Sequence, residues 1–280
     1  MQIPLIENKK IFVLLSCNSN DYMKITLLYI SGLILTSLLF SAQNNNAVME
    51  INYETKLISD SLNREKVKVY SSTLLCNNTE SIYCSAEAKA YYKGNSTQTI
   101  STNYGNIPKY PKAVESIYKA NGVINAFLPV GKYIFSFDEP KLNWEVLHQT
   151  KHIKGFKCQL AKTITDTGDT FFAWFTNDIT ISDGPFRFKG LSGMVLEVFN
   201  KSKTIEIYAT DIKKSDEIIE PLKYYNEVKA KNKQQFLEAR KNFHENPSMY
   251  NGNLKVVDAN GNDKTKMMTD RLKNVNTFLD

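Results

Sequence analysis

Histidine is nearly absent from this chain: His148, His152 and His244 are the three in 280 residues. Acid–base chemistry would therefore have to rest on carboxylates. His148 and His152 are four apart, but two imidazoles are half a zinc site, and three or four ligands are needed. Glu145 and Cys158 stand at no motif spacing to complete one, so no metal and no cofactor is expected. Cysteine is equally scarce, with four in the chain. Discounting Cys17 in the leader described below leaves Cys76, Cys84 and Cys158, an odd set that is no disulfide framework. If 77–80 is a hairpin loop, Cys76 faces Ser81 and Cys84 faces Thr73. The two thiols then point to opposite faces of the sheet, so free, buried cysteines are expected. Blocks of like charge are missing too. The net charge of +6 is spread through the chain, which falls short of a nucleic-acid footprint.

A long apolar run is also lacking. The longest, from Ile25 to Phe40, is shorter than the roughly 20 residues a membrane helix needs. With Lys24 before it and Ser41-Ala42 after it, the stretch 23–42 has the three-part form of a secretory signal peptide. Residues 1–22 are expected to be an extension ahead of the true start at Met23. Leu14-Leu15-Ser16-Cys17 has too short an apolar lead to be a lipoprotein box. The expected protein is exported (periplasmic, outer-membrane-associated or secreted), with no integral span after cleavage.

What is present is alternation, the mark of half-buried strands. Met49, Ile51, Tyr53, Thr55 and Leu57 share one face, with Glu50, Asn52 and Glu54 on the other. Strand patterns follow at 67–76, 82–85, 132–137, 144–148, 151–163, 170–176, 193–200 and 204–212. Turn chemistry stands at 77–80, 166–169 and 200–203. Residues 86–92 read as strand or short helix, 93–131 as irregular with helical potential over 112–120, and 225–244 as one peripheral helix. These patterns predict a mainly β, single domain over 43–250: a curved antiparallel meander, bowl or half-barrel, with a C-terminal helix. Residues 251–280 are expected to be a mobile tail.

No complete catalytic set is visible. Ser192 has Gly190 two residues before it but Met194 two after, which fails the nucleophile elbow. Asp166-Thr167-Gly168 has no second triplet to make an aspartic-protease pair, and a hairpin turn accounts for it. Asp178, Asp183 and Glu197 are the carboxylates nearest the glycine-rich stretch. The aromatics Phe171, Phe172, Trp174, Phe175, Phe186 and Phe188 form either core or a ligand-facing apolar cup.

Between Gly184 and Val198 the chain concentrates Gly184-Pro185, Gly190-Leu191-Ser192-Gly193-Met194-Val195 and an apolar run. With Trp144, 151–158, Ala161, Ala173-Trp174-Phe175-Thr176 and Ile179, this resembles the GLPGLI family of exported Bacteroidota proteins over about residues 47–245. Ser192 replaces the proline of the family hexapeptide. The resemblance implies an exported β protein with no established catalytic residues. A similar bowl-shaped sheet occurs as an accessory domain of a peptide-N-glycosidase type, which implies non-catalytic recognition. The expected function is a binding or scaffolding module for an envelope protein, a glycan or an apolar ligand, with no nucleic acid. The alternative is a hydrolase built on carboxylates such as Asp178, Asp183 and Glu197.

Overall fold

The computed structural model describes residues 45–95, 110–247, 255–258 and 260–279. The expected extension and signal peptide at 1–42 lie outside them. Among the described residues, no helix is long and apolar enough to cross a membrane. The strands are β1 Met49–Leu57, β2 Lys68–Cys76, β3 Glu80–Cys84, β4 Ser116–Ala120, β5 Val123–Val130 and β6 Tyr133–Asp138. They continue with β7 Glu145–Ile153, β8 Phe156–Ile164, β9 Thr170–Thr176, β10 Met194–Asn200, β11 Ile205–Lys214 and β12 Glu227–Lys229. Among the described residues three helices accompany them: α1 Ala86–Asn95, α2 Lys233–Glu245 and α3 Thr265–Lys273.

All twelve strands join one sheet in the order β12-β6-β5-β4-β3-β2-β1-β11-β10-β9-β8-β7. Every pairing is antiparallel except that of β12 with β6. Two meanders meet where β1 pairs with β11. The chain order requires this sheet to curl. β6 and β7 are ten positions apart, about 48 Å in a flat sheet at ~4.8 Å per strand. The connection from Asp138 to Glu145 reaches at most about 25 Å. The two ends of the sheet must therefore approach each other, and the inward side chains become the core.

Alternation sorts the faces as the sequence predicts. On β1, Ile51, Tyr53 and Thr55 are buried while Asn52, Glu54 and Lys56 alternate with them at half exposure. The β2–β3 hairpin has the predicted register, Cys76 opposite Ser81 and Thr73 opposite Cys84. Cys76, Cys84 and Cys158 are buried, and none of them is in a disulfide. Cys76 packs in the main core inside the curl, and Cys84 in a second cluster with Ala88, Tyr92 and Tyr224.

Several elements differ from the sequence reading. The stretch 151–163 is not one strand. Lys154 and Gly155 have φ of 51° and 85°, a two-residue turn with both φ positive that matches the twist of a hairpin. The 112–120 segment is not helical: Ser116–Ala120 is strand β4, and β5 follows through Asn121 and Gly122, whose φ of 52° and 76° make a second such turn. Pro129 sits inside β5 opposite Ile134, which is why that stretch reads as irregular. The 225–244 helix is shorter than expected. Glu227–Lys229 is a strand, and Asn232 caps α2 by accepting the Gln235 N–H at 3.1 Å, the ordinary device for starting a helix. The ambiguous 86–92 segment is helical, begun by Ser85, whose Oγ accepts Ala88 N–H at 3.0 Å. In the C-terminal segment, α3 reaches α2 through Leu272, whose carbonyl lies 2.8 Å from His244 Nδ1.

Candidate functional site

The connection between β9 and β10, residues 177–193, turns inward and lines the curl. Phe188 lies 4.8 Å from Phe171 and Phe186 lies 6.5 Å from Tyr83, ring centre to ring centre. Tyr53 donates to the Val195 carbonyl at 2.6 Å. Phe186 has φ of 50°, an uncommon conformation for a bulky residue, held by burial among its ring neighbours. The glycines play two different roles. Gly190 has φ of +96° with open space around it, whereas Gly184 and Gly193 have no room for a Cβ. A methyl group on Gly193 would stand 1.9 Å from the Thr176 carbonyl oxygen.

The six aromatics divide accordingly. Phe171, Phe175, Phe186 and Phe188 are buried in the core. Phe172 and Trp174 lie on the opposite face of β9, half-buried. There Phe172 stacks on Phe199 and Lys151 Nζ sits 4.6 Å from the Trp174 ring centre. Among the described residues, the buried rings of the inward connection occupy the middle of the curl.

Two buried ionic clusters fasten this connection. In the first, Asp183 is fully buried and pairs with two lysines. Lys189 Nζ donates to Asp183 Oδ1, to the Gly184 carbonyl at 2.9 Å and to Ser81 Oγ at 3.4 Å. Lys119 Nζ stands 2.5 Å from Asp183 Oδ2, an ion pair without good hydrogen-bond alignment, and donates to the Ser182 carbonyl at 3.0 Å. Burial by itself would raise the Asp183 carboxyl, but Lys189 and Lys119 together hold it below its ordinary value. Burial pushes the Lys189 ammonium down, and Asp183 only partly opposes it.

The second cluster joins four elements. Arg187 contacts Glu139 at 2.7 Å and Asp166 at 2.8 Å, and Lys233 of α2 contacts the same two carboxylates at 2.7 and 3.1 Å. Burial raises the Glu139 carboxyl despite both cations. The less buried Asp166 is held low because Arg187 and Lys233 outweigh its burial. Asp166 thus does more than form the turn that its triplet predicts. Its carboxylate is one corner of the lock between the motif segment, the β6–β7 connection and α2.

At one end of the curl, beside the first cluster, a cleft of about 660 Å³ opens, within the range of small-ligand sites. The β2–β3 turn contributes Asn78 and Thr79, the β4–β5 turn Asn121 and Gly122, the β6–β7 connection Lys141 to Asn143, and the motif segment Ser182, Lys189 and Gly190. Lys119 and Ile124 complete the wall. Of these, sequence reasoning singled out only Gly190, as part of the motif turn, and missed the others. The one available signal was Asn121-Gly122, a strong hairpin dipeptide that would have brought this turn beside 77–80.

The other sequence candidates are dispersed. Ser192 is exposed and donates to Asn177 Oδ1 at 2.8 Å, with no base beside it. Ser192→Ala is therefore expected to shift stability by no more than about 0.5 kcal/mol. A denaturation midpoint that fell further would show that the hydroxyl supports the turn. Asp183 is committed to its lysines. Asp178 accepts the Lys157 N–H at 3.2 Å, and Glu197 pairs with Lys151 at 2.5 Å. These three carboxylates sit in three separate settings. His148 and His152 are exposed on the edge strand β7. Among the described residues no group of three or more ligating side chains is gathered for a metal.

Residues 76–237 match the family described as N-glycanase peptide, N-terminal domain. Among solved structures, the chain is similar to PNGF-II in two crystal forms, at 18% and 17% identity and a TM-score of 0.45 in each. Both likenesses cover 70% of this chain and 33% of that one, so the chain spans about a third of their length. An uncharacterized conserved protein from Thermus thermophilus is similar at 6% identity and TM-score 0.34, covering 70% of this chain and 99% of that one. These are loose likenesses. No curated protein matches the chain. The family match takes in more than half of the chain and every element that lines the cleft, and the chain belongs to the family of the N-glycanase peptide N-terminal domain.

Proposed function

We propose that this chain is a non-catalytic recognition module for glycans, which it binds in the cleft at the end of the curled sheet. The observation that carries the reading is the wall of that cleft. Asn78, Asn121 and Asn143 line it together with Thr79 and Ser182, and no carboxylate does. Each amide offers both donor and acceptor and each hydroxyl can serve as either, which suits the mixed hydroxyl and acetamido groups of a sugar. The family description supports the same class of ligand. The reading includes export to the periplasm, the outer membrane or the exterior, as the leader and the GLPGLI-like motif imply.

The test is a calorimetric titration of the full chain with an N-glycan-bearing glycopeptide and with N,N′-diacetylchitobiose. Binding is expected, and the double variant Asn78→Ala/Asn143→Ala should weaken it by on the order of tenfold, about 1.4 kcal/mol, without lowering the melting temperature. Absence of binding, or binding that the variant leaves intact, would refute the cleft. Release of the glycan during incubation would instead establish a hydrolase.

A further inference from the structure

Two ammonium groups of the cleft wall share one carboxylate, Asp183, which is buried behind them. Lys119 and Lys189 both pair with Asp183, and it is the one carboxylate that the described residues bring to either. Lys141 adds a third cation on the exposed rim. Counting three lysines against Asp183, the site carries a net charge of +2. Buried charges are stable when compensated, so a half-desolvated positive excess is matched best by an anion supplied from outside. We propose that the cleft selects an anionic sugar, one bearing a carboxylate, sulfate or phosphate group. The inference rests on the glycan reading above and sharpens it.

The three lysines divide the task. Lys189 spends its three donors on Asp183, Gly184 and Ser81, so it acts on a ligand through its field. Lys119 pairs with Asp183 through charge, donates to the Ser182 carbonyl and keeps N–H capacity for an anionic oxygen. That ammonium is held in place before any ligand arrives, since its side chain is only 13% exposed. Lys141, exposed on the rim, is placed to meet the ligand's anionic group from the solvent side. The asparagines then read the neutral ring.

The experiment compares N,N′-diacetylchitobiose, its 6-O-sulfate, digalacturonate and inorganic sulfate as ligands of the full chain by calorimetry. The sulfated and carboxylate sugars are expected to bind at least about tenfold more tightly than the neutral disaccharide at low salt. That advantage should shrink to about twofold or less in molar salt, where the screening length falls to about 3 Å. Lys141→Gln, on the surface, should remove several-fold of the advantage, and Lys119→Gln should remove most of it. If the neutral and anionic sugars bind equally, the charge inference fails while the glycan reading stands. If inorganic sulfate alone binds, both fail. If the advantage survives Lys141→Gln and Lys119→Gln unchanged, the anion is read elsewhere and the inference is overturned.

Discussion

Gly193→Ala is expected to cost more than about 3 kcal/mol, at or beyond the upper end of overpacking penalties, and to leave the domain largely unfolded at 37 °C. The new methyl carbon would stand 1.9 Å from the Thr176 carbonyl oxygen and 2.7 Å from its carbon. Both are backbone atoms, so no rotamer change relieves the contact. Relief requires moving β10 away from β9, and Met194 pairs with Thr176 directly beside this point. Gly190→Ala is the control. There the cost is conformational, about 1–2 kcal/mol for a left-handed φ, because nothing lies within 4 Å of the added carbon. Equilibrium denaturation of both variants checks the ranking. A Gly193→Ala protein as stable as Gly190→Ala would mean that the two strands can separate at no cost, and that the motif is not a close-packed corner.

Arg187→Ala should destabilise by about 3–5 kcal/mol, the range for removing one member of a buried ion cluster. The guanidinium is wholly buried and faces both Glu139 and Asp166. Its loss leaves two carboxylates for Lys233 alone, with Glu139 unable to reach water. Geometry makes the effect global. Glu139 begins the connection that leads from one end of the sheet to the other, Asp166 lies in the β8–β9 turn, and Lys233 opens α2. The cluster therefore holds the curl closed where, among the described residues, no strand pairing joins its ends. The double variant Arg187→Met/Glu139→Gln should recover a good part of the loss, because it removes a charge of each sign together. A double variant no more stable than Arg187→Ala, measured by urea denaturation, would show that uncompensated charge is not the source of the loss.

Both effects centre on a segment whose importance is visible in the chain and whose manner of working is not. Three glycines and a proline within 184–193 mark special backbone. They do not distinguish Gly190, which needs its φ, from Gly184 and Gly193, which need empty space. That difference depends on Thr176, Phe188 and Val195, which the fold brings up against them. Phe171 and Phe172 are adjacent in sequence and equally aromatic. Alternation says that they face opposite ways, but only the inward 177–193 connection decides which side is core.

Period-2 patterning and turn chemistry determine a great deal without any structure. They specify a mainly β chain, the inward face of β1, the register that places Cys76 opposite Ser81, and the turns at 166–169 and 200–203. These are local properties, set by side-chain direction and by which residues tolerate a turn. Tertiary structure alone decides the ionic lock, the direction of the motif segment and the cleft. Glu139, Asp166, Arg187 and Lys233 come from widely separated parts of the chain, as do Asn78, Asn121, Asn143 and Lys189. No local preference specifies such meetings. They follow from the closure of a twelve-stranded sheet whose sixth and seventh strands, joined by a short connection, stand ten positions apart.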